Sequence, residues 1–145
     1  MQLSQHEICE LLPHSGAMCL LGAVESWDEH TICCLATSQT EPHNPLACNG
    51  EIGVINGIEY AAQAMGVHGA LLNVSADRPE LAYLAALRGV KLYGETLHQY
   101  PELRIKCGRL GGDSHGFIYT FEISAGETLL MEGRATVMKD KAIEK

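Results

Sequence analysis

An α+β domain is the fold class the sequence predicts, and three observations predict it. Residues 51–72 form one long apolar helix candidate, two β-rich segments joined by an acidic turn precede it, and four strand-like segments follow it. Antiparallel hairpins around one enclosed helix satisfy all three. The chain has 145 residues, 46% hydrophobic and 19% charged, which suits a single domain, 1–145, with one core.

Taken in order, Ser4-Gln5-His6-Glu7 has the S-x-x-E form of a capping box and predicts a short helix to Glu10 or Leu12, stopped at Pro13. Met18–Trp27 and Thr31–Ser38 read as a hairpin turned at Asp28-Glu29. A loop with two prolines and an Asn-Gly step, Gln39–Gly50, leads into the helix candidate at 51–72, where only Glu51 and Glu59 among Asp, Glu, Lys and Arg occur. Being apolar nearly all round, that helix is expected to be enclosed. After a polar loop, Asn73–Glu80, come a mixed run Tyr83–Tyr93 and a strict alternation Glu102–Cys107 that breaks at Gly108, where a bulge or strand end is predicted. Phe117, Tyr119, Phe121 and Ile123 then recur at period two; Gly126 turns the chain, and Leu129, Met131, Gly133, Ala135 and Val137 complete the series.

Composition narrows the function classes. A formal net charge of −8 argues against nucleic acid, because phosphate binding needs a concentrated basic surface. No apolar run reaches the ~18–20 residues that cross a bilayer, and the N-terminus has no basic residue ahead of an apolar stretch, so a cytoplasmic protein is expected. All ten Lys and Arg lie at Arg78 or later, and an anionic ligand is expected to meet that half. Without a C-x-x-C pair or an export signal, the six cysteines are expected to be reduced and mostly buried. Histidine and cysteine spacings offer no metal site.

Three features carry possible chemistry. Glu59 places a carboxylate in the middle of an apolar helix, where it is costly unless paired or neutral, and where it suits acid–base work; the competing reading is that Asn56, Glu59 and Gln63 form a solvated polar stripe. His43, between Pro42 and Pro45, has the proton affinity for reversible transfer near neutral pH. The helix start around Ile52-Gly53-Val54 offers backbone N–H groups that could polarise a carbonyl. His68, near the helix end, reads as a cation favoured by the helix dipole.

Leu12-Pro13-His14, then Met18 and Leu20-Leu21, and above all Gly57-Ile58-Glu59-Tyr60-Ala61-Ala62-Gln63-Ala64, together resemble the hot-dog-fold 3-hydroxyacyl-acyl-carrier-protein dehydratases. The dehydratase-like branch of aryl polyene biosynthesis, whose helix opens with a step like Gly50-Glu51-Ile52, is the nearer likeness. The resemblance implies a curved antiparallel sheet wrapped around the helix and loss of water from a 3-hydroxyacyl thioester. Glu59 and His43 would be the catalytic pair, with Gly53, Val54 and Gln63 at the substrate. His43-Asn44-Pro45-Leu46 departs from the family's His-Phe-Pro-Gly and stands two residues farther from the helix glutamate; His14 and His68 are the alternatives for its role. The resemblance also implies no cofactor beyond the phosphopantetheine arm of an acyl carrier protein. It points to a homodimer, or a hetero-oligomer with a related hot-dog or synthase subunit. A hot-dog thioesterase and a non-catalytic acyl-binding subunit are the competing readings. Arg88, Lys91, Arg104, Lys106 and Arg109 are the candidate contacts for an acidic carrier.

Overall fold

The computed structural model describes residues 2–11, 19–72 and 82–139. Strand β1 (Leu3–Ser4) leads directly into helix α1 (Gln5–Leu11), followed by β2 (Ala23–Trp27) and β3 (Thr31–Ala36). The long helix α2 (Gly57–Leu72) comes next, then β4 (Ala82–Leu92), β5 (Leu103–Gly112), β6 (Gly116–Ala125) and β7 (Thr128–Lys139). All seven strands form one antiparallel sheet in the order β1-β2-β3-β5-β6-β7-β4. Helix α2 packs chiefly on β3, β5 and β6, and no described helix is long and apolar enough to cross a membrane. The α+β expectation holds; the two-residue β1 was too short to carry a pattern. The expected loop at 73–80 lies outside the described residues, as do Pro13 and His14.

The local signals act as their chemistry requires. Ser4 Oγ accepts the Glu7 N–H at 3.4 Å, while Glu7 Oε1 accepts from the Ser4 N–H at 3.1 Å, closing the capping box of α1. Asp28 Oδ1 accepts the N–H groups of His30 and Thr31, both at 2.8 Å, and this fixes the β2–β3 turn. Strand β5 buries Leu103, Ile105 and Cys107 and exposes Arg104 and Lys106, as the alternation predicts. It does not end at Gly108: the register shifts between Arg109 and Gly111, and the strand runs on to Gly112. That is the bulge alternative, displaced by a residue or two.

Two expectations are corrected. The helix does not begin at residue 51. Asn49 (φ 54°) and Gly50 (φ 78°) make a tight turn, with Cys48 and Glu51 exchanging both backbone bonds around it. This is the Asn-Gly turn chemistry that allows two successive left-handed residues. Residues 52–54 are then held extended by the 95–97 segment, a 3-10 turn spans Val54–Asn56, and α2 starts only at Gly57. Nor are all six cysteines free. The inward side of α1 brings Cys9 to Cys19, with Cα atoms 5.8 Å apart, and the two are joined as a disulfide. Of the other four, Cys34 and Cys107 are buried, Cys33 is half-buried and Cys48 is exposed.

The core lies between α2 and the sheet. Tyr60, Ala61, Ala64 and Val67 of the helix meet Ile32, Cys34, Ile105, Cys107, Phe121 and Ile123 of the strands. Ile8 docks α1 against it. Each fully buried aliphatic side chain contributes roughly 1.5–3 kcal/mol, which is why so apolar a helix sits here.

Candidate active site

The first two turns of α2 organise the site through two buried polar side chains. Gln63, 3% exposed, accepts the Leu20 N–H at 2.9 Å through Oε1. The Tyr60 hydroxyl lies 3.0 Å from Ser38 Oγ and 3.1 Å from Asn44 Nδ2. Bond directions follow from the donor inventory. Ser38 gives its only proton to the Leu20 carbonyl at 2.6 Å, so it accepts from Tyr60, which in turn accepts from Asn44. The second Asn44 Nδ2 proton goes to the Ser38 carbonyl at 2.9 Å, and its Oδ1 takes the Leu46 N–H at 2.8 Å. Burial also pushes the Tyr60 phenol up from its ordinary range. Asn44 is thus wired to the helix through a closed relay, and His43 is its neighbour in sequence.

His43 is exposed and lines a cleft of about 250 Å³ with Gln5, Cys19, Ser38, Glu41 and Asn44. Glu59 is half-buried and does not line that cleft. It shares a stripe of α2 with the half-buried Ala62 and Gly66, one helical turn apart, whose small side chains leave room for close approach. The cleft that holds His43 is thus not lined by Glu59. The solvated stripe of Asn56, Glu59 and Gln63 is not found either, since Gln63 is buried and its oxygen holds Leu20 in place.

Gly53 and Val54 differ in what they can offer. The Val54 N–H donates to the Glu95 carbonyl at 2.9 Å and is committed. The Gly53 N–H has no partner among the described residues, while its carbonyl accepts from the Asn56 backbone. Available here is a single N–H held in an extended segment, not the end of a helix dipole. His98 braces that segment, taking the Ile52 N–H on Nδ1 at 3.1 Å, which leaves Nε2 for the proton of the neutral ring. It lies 46 residues away in sequence, and no spacing signal marked it.

A lining for the Gly53–Glu59 region is also visible. Gly57 sits against Ile123 and Met131, so the helix starts over β6 and β7. One strand farther out, Leu92 pairs with Met131 and Leu87 with Ala135. Both leucines face the helix side of the sheet but are 48% and 38% exposed, because α2 does not reach them. Ile55, just before the helix, is 52% exposed.

His68 is not a surface cation and is no substitute for His43. It is fully buried, and burial lowers its proton affinity. Its Nε2 meets the Asp28 carbonyl at 2.7 Å and must donate, so Nδ1 accepts from the Tyr119 hydroxyl at 2.7 Å. Arg109 donates to the same hydroxyl from Nε and Nη2 and stacks on Phe117 at 3.6 Å.

The model of the ApeP-like family, ApeP dehydratase, matches residues 6–145. The chain belongs to the ApeP dehydratase family. It is a dehydratase of the hot-dog fold, of the aryl polyene type that its helix motif resembles. Among solved structures, the ApeI:P dehydratase heterocomplex from Xenorhabdus doucetiae is similar over 97% of this chain and 93% of that one, with TM-score 0.81 and 26% identity. A thioesterase from Haemophilus influenzae is similar over 97% and 93%, with TM-score 0.67 and 12% identity. A hypothetical thioesterase from Streptococcus pneumoniae, solved with coenzyme A, covers 81% and 84%, with TM-score 0.59 and 11% identity. At those identities the two thioesterases speak for the fold alone. No curated protein matches the sequence significantly. Within the ApeP dehydratase chain, the motif around Glu59 therefore lies on α2, while the His43 loop is held to the same helix by Tyr60 and Asn44.

Proposed function

We propose that this ApeP-family chain removes water from a 3-hydroxyacyl thioester delivered on the phosphopantetheine arm of an acyl carrier protein. We further propose that the site is completed by a second, related dehydratase subunit. The observation that carries this reading is the half-buried Glu59 on the small-residue stripe of α2, together with an uncommitted Gly53 N–H ahead of that helix and uncovered leucines on β4.

The chemistry assigns one task to each group. His43 takes a proton from C2, the electrons form the C2–C3 double bond, and Glu59 gives the C3 hydroxyl the proton with which it leaves as water. The Gly53 N–H stabilises charge that develops on the thioester oxygen as the C2 proton departs. Proton return from His43 to Glu59 resets the pair. Since Glu59 does not line the cleft that holds His43, each is expected to meet its counterpart from the other subunit. Strand β4 suits that association: among the described residues it pairs only with β7, and Tyr83, Leu87 and Leu92 are exposed along it. The ApeI:P relative is a heterocomplex, which favours a related but different partner over a second copy. The chain itself needs no metal or organic cofactor for these steps.

Mass spectrometry of a 3-hydroxyacyl carrier protein tests the reading, with the chain supplied alone and together with a related dehydratase subunit. Loss of one water mass, abolished by Glu59→Gln and by His43→Ala, is expected. Release of free acid would move the assignment to thioester hydrolysis. An unchanged acyl chain in every mixture would leave an acyl-binding subunit in its place.

A further inference from the structure

From the Ile52 N–H to the Val54 N–H, the backbone ahead of α2 has every polar group but one engaged. The Ile52 N–H goes to His98 Nδ1 at 3.1 Å, and the Ile52 carbonyl accepts the Leu97 N–H at 2.8 Å. The Gly53 carbonyl accepts from the Asn56 N–H at 3.0 Å and from Asn56 Nδ2 at 3.3 Å, while the Val54 N–H goes to the Glu95 carbonyl at 2.9 Å. Among the described residues only the Gly53 N–H is left over. In a segment otherwise so fully paired, that is the group free to meet a ligand.

The direction of this N–H is set by its neighbours. Gly53 and Thr96 face each other as the non-hydrogen-bonded pair of a short antiparallel bridge, whose bonds are made by Ile52 and Val54 on either side. The Gly53 N–H shares one planar trans peptide with the Ile52 carbonyl; the carbonyl points toward Leu97, so the N–H points away from it. Ile52 is thus held by both of its polar groups, through the backbone of Leu97 and the ring of His98. Its side chain and that of Leu97 are buried in the core. The next residue is a glycine, with the backbone freedom to let the plane turn if the His98 bond were lost.

His98 is itself well placed for this. It lies in a segment, residues 95–100, tied at one end to Ile52 and Val54 and at the other to the buried Gln39, whose Nε2 donates to the Tyr100 carbonyl at 2.9 Å. Gln39 follows Ser38, whose carbonyl accepts from Asn44 at 2.9 Å. One segment therefore runs from the Gly53 N–H to the turn that secures the His43 loop.

We infer that His98 is a positioning residue for the dehydration: by accepting from Ile52, its neutral ring aims the Gly53 N–H at the thioester oxygen. The inference rests on the dehydratase reading above for the identity of that oxygen. His98 acts through Ile52 and not by touching the acyl group.

Two variants, studied in the native assembly, separate an acceptor from mere packing. His98→Asn keeps an acceptor where Nδ1 lies, because the Asn oxygen branches from the same carbon, and His98→Leu fills similar space without one. With a 3-hydroxyacyl carrier protein, kcat of His98→Leu is expected to fall roughly ten- to a hundredfold, as for a donor moved out of line, with KM little changed. His98→Asn is expected to stay within about threefold of wild type, since its acceptor is kept. A second readout does not need dehydration. A hexanoyl pantetheine thioester, isotope-labelled at its carbonyl carbon, has no 3-hydroxyl to lose, and its infrared stretch reports hydrogen bonding to its oxygen. Bound to wild type or His98→Asn it is expected to absorb at lower frequency than bound to His98→Leu. Equal frequencies in wild type and His98→Leu, or equal losses of kcat in both variants, would overturn the inference and leave dehydration standing. A frequency that follows the acceptor at 98, with no water lost in any mixture, would keep His98 as the residue that aims the N–H and remove the dehydratase reading. Should His98→Leu fail to fold, His98→Gln, whose oxygen lies one methylene farther out, decides in its place.

Discussion

Replacing Tyr119 with Phe tests how the far end of α2 is held, and its cost follows from the bond directions. The substitution removes the hydroxyl that donates to His68 Nδ1 and accepts two N–H groups of Arg109. Arg109 is only half-buried and can turn to water, so its loss is small. His68 is fully buried, and its Nδ1 is left without a donor. An unsatisfied buried acceptor costs about 1–3 kcal/mol. We therefore expect a loss near 2 kcal/mol at pH 8, which for a chain of this size is a fall of roughly 6 °C in the unfolding midpoint.

The pH dependence sharpens the test. Burial lowers the proton affinity of His68 in the folded state, with the Arg109 cation adding to the effect. The unfolded chain thus binds more protons as pH falls below the ordinary histidine value of ~6.5. The stability contributed by neutral His68 is complete above that value and is lost as pH falls toward the lowered one. In Tyr119→Phe the hydroxyl that favoured neutral His68 is gone, so folding resists protonation less. The gap between wild type and variant should be largest at pH 8 and smaller at pH 5.5. Urea unfolding at both values, at one fixed protein concentration, measures it. A gap below about 0.5 kcal/mol at pH 8, or one that widens on acidification, would refute the assigned directions.

Three further outcomes are expected. Alkylation under denaturing, non-reducing conditions should modify four cysteines per chain, leaving Cys9 and Cys19, and Cys9→Ser/Cys19→Ser should lower stability by about 2–3 kcal/mol, the chain-entropy value for so short a loop; six modified cysteines would disprove the linkage. Gln63→Leu strands the buried Leu20 N–H and should cost about 1–3 kcal/mol in denaturant unfolding, whereas a substitution without cost would mean that Leu20 is held by other groups. Tyr60→Phe cuts the relay between Asn44 and Ser38, so the dehydration rate should fall with little change in KM, and an unchanged kcat would show that the His43 loop holds its place without the relay.

The elements were legible where one physical signal dominated. The capping box at Ser4 and Glu7, the alternation of β5 and the turn at Asp28 each involve residues within a few positions of one another, and each forms as read. The helix start was misplaced because residues 51–56 are as apolar as the helix itself. What decides their conformation is distant: Asn49-Gly50 turns the chain, and Glu95 and Leu97 then take the backbone groups of Val54 and Ile52. The same holds for His98, Asn44 and Tyr60, whose partners are 46, 16 and 22 residues away. Cysteine spacing likewise gave no hint that α1 would turn Cys9 toward Cys19.

An apolar helix with few polar side chains can be read by asking where each of them ends. Tyr60 and Gln63 reach across the core to fix Ser38, Asn44 and Leu20, and His68 ties the other end to Asp28 and Tyr119. These three are buried, and each serves the chain's own fold. Glu59 alone among the helix's ionisable groups lies half-buried on a stripe of small residues, and the inner leucines of β4 are left uncovered by the helix. A carboxylate in the core would be costly, and one fully in water would be inert as a proton donor to an acyl chain. Its half-open position avoids both, and on the function proposed above a second subunit covering Leu87, Leu92 and Ile55 would close the site to water. On this argument dehydration and assembly are one property, and Glu59→Gln should abolish turnover without weakening the association that β4 supplies.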